Sequence, residues 1–382
     1  MDRQAQILVE HGPGGVPALF AGARDVVVAR GAGEVSPALA RLDAARAAGG
    51  WVAGWIAYEA GLTFEPRLAP LMRGAGPLLV MGVFDAPGDA GPILARAAEE
   101  GAATRMAPPE PMVARAAYDR AMARVQHYIA AGDCYQVNLT FPMRSRLVQG
   151  TALGLFGALR RTGPVRQGAY ADLSVGPVVV SRSPELFFRL DSAGRITARP
   201  MKGTRPRDAD PARDAAVAAD LAASPKDRAE NLMIVDLLRN DIGRLARIGS
   251  VRVPDLFAVE RYATVHQMTS TITADLGQPA QLSTLMPALF PCGSITGAPK
   301  IRAMQVIAEV EPEARGVYCG AIGWMAPDGS ADFSVAIRTL SVAGAEIVMN
   351  VGGGVVADST ADGEWEEALW KARFVTAAMT PR

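Results

Sequence analysis

Lysine is rare in this chain, so its few positions are the first candidates for chemistry. Four of the 39 lysine and arginine residues are lysines, namely Lys202, Lys226, Lys300 and Lys371. Arginine stays charged at any accessible pH, whereas a desolvated lysine can lose its proton and act as a nucleophile or base. Lys202, within Arg199-Pro-Met-Lys-Gly-Thr-Arg205, is the most suggestive of them. Chance retention of a surface lysine is the alternative explanation for each.

A hairpin is expected to bring a carboxylate close to Lys202. If the turn in Asp191-Ser-Ala-Gly194 is centred near Ala193, residues whose numbers sum to about 386 or 387 lie opposite one another. Glu185 and Lys202 are then cross-strand neighbours within one register step. An ion pair on a solvated sheet face is the simpler explanation of this pattern. The other interpretation is an acid and a nucleophile placed around one substrate.

Two pairs of carboxylates indicate a cation site. Asp227 and Glu230 are spaced i, i+3 in a largely apolar helix predicted over 226–241, and Glu364 and Glu367 repeat the spacing near the C-terminus. On a helix each pair lies within about 60° on one side. Magnesium takes one or two carboxylates, several waters and an anionic group of the substrate. Solvated helix faces are the alternative for either pair alone.

Two glycine-rich segments suit an anion. Gly293-Ser-Ile-Thr-Gly-Ala-Pro-Lys300 precedes a predicted helix, with Pro299 in its first turn, so backbone N–H groups and the helix dipole can receive a carboxylate or phosphate. Val351-Gly-Gly-Gly-Val355 follows a strand and lets a ligand approach the backbone. A helix start and a loop between strands also explain these segments. His266 is one of three histidines, and such a residue is more often part of a core than a catalyst.

Composition excludes several classes of protein. The net charge is zero and no long basic run occurs, which argues against nucleic-acid binding. Cys134, Cys292 and Cys319 are odd in number and far apart, so a disulfide framework or zinc site is not expected. No apolar run approaches the length of about 18 residues needed to span a bilayer, and the N-terminus lacks the pattern of a signal peptide. We therefore expect a cytoplasmic protein without a membrane partner.

The elements that must position these residues predict an α+β fold. A helix over 115–131 and a strand over 135–141 follow a candidate boundary at 106–112, which divides a short N-terminal region, 1–110, from a catalytic domain, 113–380. Further helices interrupt a series of antiparallel strands instead of alternating with single strands. The predicted strands of this series cover 176–181, 186–190, 195–199, 321–325, 333–340 and 346–351.

Taken together, the ordered motifs closely resemble the chorismate-utilising enzymes, a family of anthranilate, aminodeoxychorismate, isochorismate and salicylate synthases. The resemblance covers roughly residues 113 to 380. The motifs that carry it are Ser183-Pro-Glu185, Pro200-Met-Lys-Gly-Thr204, Ala229-Glu-Asn-Leu-Met-Ile-Val-Asp-Leu-Leu-Arg-Asn-Asp241, His266, Gly293-Ser-Ile-Thr-Gly-Ala-Pro-Lys300, Ile337-Arg-Thr-Leu340 and Gly352-Gly-Gly-Val-Val-Ala-Asp-Ser359. The resemblance implies antiparallel sheets forming a sandwich-like core flanked by helices.

Two positions separate the branches of this family. Isochorismate and salicylate synthases carry a lysine base where this chain has Gln136, and anthranilate synthases carry a small residue where it has Lys202. The aminodeoxychorismate synthases, component I, have lysine at the latter position and are the branch that the chain resembles most. This implies amination of chorismate through a covalent bond to Lys202, on the way to 4-aminobenzoate and folate. Anthranilate synthase component I and a catalytically silent chorismate-binding module are the alternatives.

The resemblance also assigns roles to single residues. Glu185 matches the general acid, and His266 matches the active-site histidine of anthranilate synthases. Glu230 and Glu367 match the Mg²⁺ ligands, with Asp227 and Glu364 supporting them. The residues expected to contact or surround chorismate are Thr204, Thr296, Gly297, Lys300, Tyr318, Arg338, Gly352, Gly353, Gly354 and Lys371.

Partners follow from the same resemblance. The sequence contains no glutamine amidotransferase or lyase domain, so a separate amidotransferase subunit, component II, is expected to supply ammonia and a separate aminodeoxychorismate lyase to act next. No segment resembles the tryptophan-binding element of feedback-inhibited anthranilate synthases.

Overall fold

The structure is a computed structural model that describes residues 5–74, 76–163, 165–262 and 265–379. Helices begin at residues suited to cap them: Ser224 accepts a hydrogen bond from the Asp227 N–H, and Thr360 accepts one from the Gly363 N–H. Side chains of this kind satisfy N–H groups that have no partner within the helix. The α-helices of the described residues are α1 (Ala32–Ala47), α2 (Gly91–Ala103), α3 (Arg115–Ala130), α4 (Ala152–Arg160), α5 (Pro211–Ala223), α6 (Pro225–Gly243), α7 (Leu282–Leu289), α8 (Lys300–Val310) and α9 (Ala361–Ala372).

The strands are short in the N-terminal third of the chain and longer afterwards. They are β1 (Gln6–Val9), β2 (Ala18–Ala21), β3 (Asp25–Ala29), β4 (Trp51–Ile56), β5 (Leu79–Phe84), β6 (Gly88–Asp89), β7 (Arg105–Met106), β8 (Glu110–Pro111), β9 (Gln136–Gln149), β10 (Gln167–Asp172), β11 (Val178–Ser183), β12 (Leu186–Leu190), β13 (Arg195–Arg199), β14 (Met201–Pro206), β15 (Arg252–Arg261), β16 (Val265–Asp275), β17 (Gly297–Ala298), β18 (Ala321–Met325), β19 (Ala331–Val335), β20 (Thr339–Ala343) and β21 (Glu346–Val355).

These strands form two antiparallel sheets. The first sheet has the order β17-β9-β21-β20-β11-β10-β1-β2-β6, with β7 and β8 also paired to β9. The second has the order β14-β16-β13-β12-β19-β18-β4-β5-β3, with β15 also paired to β16. Both sheets are rich in antiparallel pairs between strands distant in sequence, and helices pack on them. The predicted α+β class is confirmed.

Side-chain alternation places one face of each sheet against the other. In β4, Ala53 and Trp55 belong to one buried cluster, whereas Val52 and Ile56 belong to a second, larger one. The first cluster also contains Phe20 of β2, so it joins the two sheets. The larger cluster includes residues from the helices and so covers the outer faces. This is the sandwich core with flanking helices that the period of two along a strand requires.

Strands from both predicted regions of the chain share both sheets. Strand β1 pairs with β10, and β4 lies between β18 and β5. The candidate boundary at 106–112 falls on β7 and β8, which pair with β9. The N-terminal third therefore contributes strands to the same two sheets that carry the site.

One predicted strand, over 333–340, is wrong because the chain changes sheets within it. Strand β19 lies in the second sheet and β20 in the first. Between them Arg338 has a φ of 49°, outside the strand region. The turn and register of the predicted hairpin at 191–194 are close to expectation, since Arg189 lies opposite Thr197 and Leu190 opposite Ile196.

Within the described ranges, no helix has the length and apolar character needed to cross a membrane.

Candidate active site

Lys202 lies in an irregular part of β14, where α6 packs against the sheet. Met201 pairs with Thr269 of β16, but the next paired residue is Thr204, opposite Gln267. Strand β14 therefore has one residue more than β16 over this stretch, which is a β-bulge. Gly203, within the bulge, has a φ of 82°, a conformation that glycine adopts without strain. Bulges redirect side chains, and this one carries the candidate nucleophile.

The Lys202 amine lies beside Gly354, a predicted site residue, and near Gln136. A Cβ atom placed on Gly354 would be 3.2 Å from Lys202 Nζ and 2.8 Å from Gln136 Nε2. Desolvation lowers the pKa of Lys202 below the usual value of an amine, while the charges of Glu230 and Glu185 oppose that shift. The neutral amine is thus more accessible near neutral pH than it is in a surface lysine.

Gln136 is fully buried, and neither of its amide atoms has a hydrogen-bond partner among the described residues. A buried, unpaired amide is costly and calls for an explanation. Here the amide lies beside Gly354 and the Lys202 amine. These atoms are available to a bound ligand, and Gln136 forms one wall of the candidate site.

Glu185 follows β11 and is buried, with only 5% of its surface exposed. Burial raises the pKa of its carboxyl to about 7, with Ser294 hydrogen bonding and the Lys202 charge opposing the shift. Its Oε1 atom has no hydrogen-bond partner within the described residues. The backbone is fixed by Ser183, whose hydroxyl accepts from the Glu185 N–H at 3.2 Å and donates to the Val335 carbonyl at 2.6 Å. The geometry suits a carboxyl that carries a proton near neutral pH.

The two predicted carboxylate pairs face the site differently. A Cβ on Gly353 would lie 2.9 Å from Glu364 Oε2 and 3.7 Å from Glu367 Oε1. Burial raises the pKa values of Glu230 and Glu364. Neighbouring carboxylates raise both values further: Asp227 and Glu364 act on Glu230, and Glu367 acts on Glu364. Glu367 pairs with Lys371 at 2.7 Å. The carboxylates of α6 and α9 therefore influence one another electrostatically.

Asp227 accepts a hydrogen bond from a cation and also helps to raise the pKa of Glu230. Its Oδ2 accepts a hydrogen bond of 2.8 Å from Arg205, and its Oδ1 would lie 2.8 Å from a Cβ on Gly203. Over the described part of the chain, no three His, Cys, Asp or Glu side chains are grouped closely enough to hold a metal ion unaided. Magnesium completes its octahedron with water and substrate oxygens, so one or two of these glutamates suffice for the predicted ion.

The glycine-rich loop predicted to bind an anion, 293–300, has its one cation bound within the protein. Helix α8 starts at Lys300 with Pro299 as its N-cap, one residue from the position expected. The Lys300 amine donates to Asp241 at 2.5 Å and to the Leu289 carbonyl at 3.0 Å. It therefore fixes the loop to α6, and its expected contact with chorismate stays a prediction.

The other residues of the loop approach β9 closely. Gly297 has a φ of 142°, and a Cβ there would lie 2.1 Å from the Gln136 carbonyl. The Thr296 carbonyl accepts from the Asn138 N–H at 2.9 Å, and the Thr296 hydroxyl points back to the Gly293 carbonyl at 3.2 Å. These contacts bring the loop against Gln136.

Arg338 is a cation without an acidic partner among the described residues. The surrounding protein lowers its pKa through desolvation, and no carboxylate opposes that shift. A guanidinium of this kind is suited to bind a carboxylate through two parallel hydrogen bonds. Tyr318, one residue from Cys319, is buried, and the pKa of its phenol is raised well above the usual value. It therefore remains a neutral hydroxyl.

The glycines of β21 complete the wall. Lys371 donates to the Gly352 carbonyl at 2.9 Å. Gly352 itself packs on β9, since a Cβ there would lie 2.2 Å from the Leu139 carbonyl. Gly353 and Gly354 instead adjoin the acidic and basic side chains of the site. Gly352 therefore packs within the sheet, whereas the other two glycines face the site.

His266 is not brought to this group. Its Nε2 lies 2.7 Å from Asp214 Oδ1, and Arg207 makes two further bonds of 2.8 Å to the same carboxylate. The histidine is fully buried in this network with α5. Because successive strand residues face opposite sides, the next residue, Gln267, is the one that bonds to the Lys202 segment, at Gly203 and Thr204.

Gln267 and Ser294 are polar neighbours of the site that the sequence pattern does not single out. Ser294 lies inside a glycine-rich motif, but its link to Glu185 joins segments more than 100 residues apart. Strand alternation places Gln267 on the face opposite His266. Its contact with the Lys202 segment can be inferred only when the register of β14 on β16 is known.

Comparison with known proteins agrees with this architecture. The profile of the chorismate binding enzyme family matches residues 22–377. Aminodeoxychorismate synthase component 1 of Klebsiella aerogenes is 47% identical over 259 residues, covering 68% of this chain and 57% of that protein. Anthranilate synthase component 1 of Streptomyces coelicolor is 41% identical over 265 residues, covering 69% of this chain and 51% of that protein. The chain thus matches little more than half the length of these relatives.

A solved structure extends the likeness to nearly the whole chain. Anthranilate synthase component I from Streptococcus pneumoniae superposes with a TM-score of 0.76 at 25% sequence identity, covering 98% of this chain and 93% of that one. The predicted fold is therefore confirmed beyond the aligned sequence. Because the family profile covers most of the chain, from β3 onwards and with every motif of the site, this chain belongs to the family of chorismate binding enzymes.

Proposed function

We propose that this chain converts chorismate and ammonia to 4-amino-4-deoxychorismate, a step toward 4-aminobenzoate and folate. The observation that carries the proposal is the Lys202 amine, which lies against Gly354 and Gln136 with its pKa lowered by desolvation. The activity named for the relative with 47% identity supports it. Relatives named anthranilate synthase match at lower identity, up to 41% among those compared.

In the first half of the proposed reaction, the neutral Lys202 amine attacks ring carbon 2 of chorismate. The new C2–N bond forms, both ring double bonds shift, and the C4–O bond breaks. Glu185 gives its proton to the departing hydroxyl, which leaves as water. A carboxyl with a pKa of about 7 is protonated in part of the molecules at neutral pH, which suits a general acid.

In the second half, ammonia attacks carbon 4 and the double bonds shift back. The C2–N bond breaks, so the Lys202 amine is released unchanged, and the proton that ammonia loses balances the one that Glu185 gave. One ammonia thus replaces one water overall. Arg338 would bind a carboxylate of the substrate throughout, since no acidic side chain of the described residues neutralises it.

The carboxylates fit the magnesium ion expected for this family. Glu230 and Glu364 have raised pKa values in part because other carboxylates lie near them, and a divalent cation relieves such repulsion. We assign Glu230 and Glu367 as ligands, with Glu364 and Asp227 in support. When bound, the ion would neutralise the ring carboxylate of chorismate and hold the ring in place. The Arg205 contact of Asp227 suits a supporting role.

The proposal includes two protein partners. The words "component 1" in the name of the relative imply a second component, and a glutamine amidotransferase fits because most ammonia is protonated at neutral pH and cannot attack carbon. The product keeps its enolpyruvyl group, so a lyase must remove pyruvate afterwards. The cytoplasmic location expected from the sequence belongs to this proposal.

Product identification tests the function directly. The purified chain is incubated with chorismate, magnesium chloride and an ammonium salt at mildly alkaline pH, and products are identified by liquid chromatography and mass spectrometry with and without an added aminodeoxychorismate lyase. Aminodeoxychorismate that becomes 4-aminobenzoate only with the lyase supports the proposal. Anthranilate with released pyruvate would contradict it, as would chorismate binding without turnover.

A further inference from the structure

The bulge that carries Lys202 lacks regular strand pairing and needs other contacts to hold its shape. Between the pairs Met201–Thr269 and Thr204–Gln267, Lys202 and Gly203 share a single opposing residue of β16. Extra residues of this kind leave ladder hydrogen bonds unmade. The direction of the Lys202 side chain therefore depends on whatever fixes the backbone of this segment.

Gln267 contacts the bulge at two points. Its Nε2 donates to the Gly203 carbonyl at 2.8 Å, and its Oε1 accepts from the Thr204 hydroxyl at 2.8 Å. A primary amide has a donor and an acceptor side by side, so one side chain can satisfy both groups. Both distances are those of good hydrogen bonds.

The opposite side of the bulge rests on α6. Asp227 would clash with any Cβ on Gly203, with Oδ1 at 2.8 Å, and it accepts a hydrogen bond from Arg205. The bulge is thus held between a helix and a strand. Of these contacts, only the bond from Gln267 Nε2 reaches the carbonyl of Gly203, the residue that follows Lys202.

We propose that Gln267 is a positioning residue, which fixes the Lys202 bulge so that the amine points at Gly354 and the substrate. The inference rests on the proposed function of Lys202 as nucleophile. Gln267 acts through the backbone of Gly203 and the hydroxyl of Thr204, and we call these two hydrogen bonds the clamp. Thr204, expected to contact the substrate, is then part of the clamp. It gives β16 a role at the site that His266 does not fill.

Two substitutions separate this role from packing. Gln267→Met keeps the size of the side chain and removes both hydrogen bonds, and Thr204→Val removes only the hydroxyl. Since displacement of a reacting group by about 1 Å can cost about 100-fold in rate, we expect Gln267→Met to lower kcat about 10- to 100-fold, with little change in the KM for chorismate. Thr273→Val, in the same strand but away from the bulge, is the control and should leave kcat unchanged.

The double variant decides whether Thr204 acts through Gln267. If it does, Gln267→Met with Thr204→Val should be no slower than Gln267→Met alone, because the second change removes a bond already lost. Losses that multiply would overturn the clamp, as would an unchanged kcat in Gln267→Met.

A readout independent of turnover keeps this test distinct from the test of function. Lys202 is labelled with trinitrobenzenesulfonate at one fixed pH, and its rate of modification is followed by peptide mass spectrometry, with exposed Lys226 as internal standard. Gln267→Met should change the Lys202 rate at least threefold and leave Lys226 unaffected. If the wild-type chain formed no aminodeoxychorismate, the proposed function would fail while the labelling result still decided the clamp. Equal Lys202 rates in both proteins would overturn it.

Discussion

Lys202 and Glu185 have pKa values displaced in opposite senses, each toward the form that the proposed reaction uses. Desolvation favours the neutral form of both groups. It lowers the pKa of the Lys202 amine, leaving a nucleophile, and raises the pKa of the Glu185 carboxyl to about 7, leaving an acid. Burial therefore favours both the neutral amine of Lys202 and the protonated carboxyl of Glu185, so the proposed reaction needs no separate base to deprotonate the lysine.

Lys202 should not be replaceable by another cation. We expect Lys202→Ala to lose at least 99% of aminodeoxychorismate formation, and Lys202→Arg to be equally inactive because arginine does not deprotonate at accessible pH. Initial rates by product chromatography measure both variants, and chorismate binding by calorimetry checks that the site persists. An arginine variant with near-wild-type rates would mean that only the charge of Lys202 matters.

Glu185 should set the alkaline limb of the activity profile. Its raised pKa means that the carboxyl is protonated below about pH 7 and loses its proton above it, so an acid-dependent rate falls as pH rises through that value. We expect Glu185→Gln to reduce kcat about 100- to 10,000-fold and to flatten this limb. Glu99→Gln, exposed on α2, is the control. A limb that persisted in Glu185→Gln would assign it to another group, such as Glu59, whose carboxyl also has a pKa raised to about 7 by burial.

Residue types and spacing predict much of this site from the sequence alone. The rarity of lysine singles out Lys202, and the hairpin register brings Glu185 to it, although the pairing of Leu186 with Arg199 lies one step from the expected register. The direction of side chains is beyond such reasoning. The Lys300 amine is committed to Asp241 and His266 to Asp214, because both partners lie in helices whose packing is a tertiary property.

Strand β21 shows how one element divides its glycines between fold and chemistry. A Cβ on Gly352 meets backbone, the Leu139 carbonyl at 2.2 Å. The atoms nearest to a Cβ on Gly354 are instead at the ends of the Gln136 and Lys202 side chains, at 2.8 and 3.2 Å. Backbone cannot yield without disturbing the sheet, whereas a side-chain end can move. The first glycine is required by the β9–β21 pairing and the second by the space around the amine.

The two glycines should respond to alanine in opposite ways. We expect Gly354→Ala to fold with a melting temperature close to wild type but to lose at least 10-fold in kcat/KM, since the methyl group displaces the Lys202 amine. Gly352→Ala should instead lower the melting temperature by several degrees, as overpacking of about 1–3 kcal/mol predicts. Thermal unfolding and steady-state rates on both proteins make the comparison. The reverse pattern would show that substrate space lies over Gly352.

Strand prediction succeeds where one strand stays in one sheet. Strands β12, β13 and β18 have the predicted bounds, since each lies beside a turn. The segment over 333–340 differs because no local pattern reveals a change of sheet. That change sets the position of Arg338, with its positive φ, between the two sheets. The departure from a regular strand thus occurs at a residue assigned to the substrate.

The whole molecule depends on strands from both ends of the chain. In the first sheet, β1 pairs with β10, and in the second, β4 pairs with β18 along most of its length. Composition and spacing predict a short N-terminal region packing on the core, because the stretch before residue 112 is rich in glycine, proline and small residues. Long-range strand pairing leaves no such signal, since the two partners are more than 150 residues apart.

Trp55 tests whether the N-terminal strands and the site-bearing strands unfold together. Its side chain is 1% exposed and lies in the core between the sheets with Phe20, Phe84 and Trp324. We expect Trp55→Ala to lower the free energy of unfolding by about 3–5 kcal/mol and to shift one transition that is the same by circular dichroism and by aromatic fluorescence. Trp370→Ala, at a side chain 51% exposed, is the matched control and should change the free energy of unfolding by about 0.5 kcal/mol or less.

Two separate transitions in Trp55→Ala, with the second at the wild-type midpoint, would mean that the N-terminal strands unfold on their own while the strands of the site stay folded. The shared sheets require a single displaced transition. If β4 left the second sheet, β18 would lose its paired strand and the core between the sheets would be exposed.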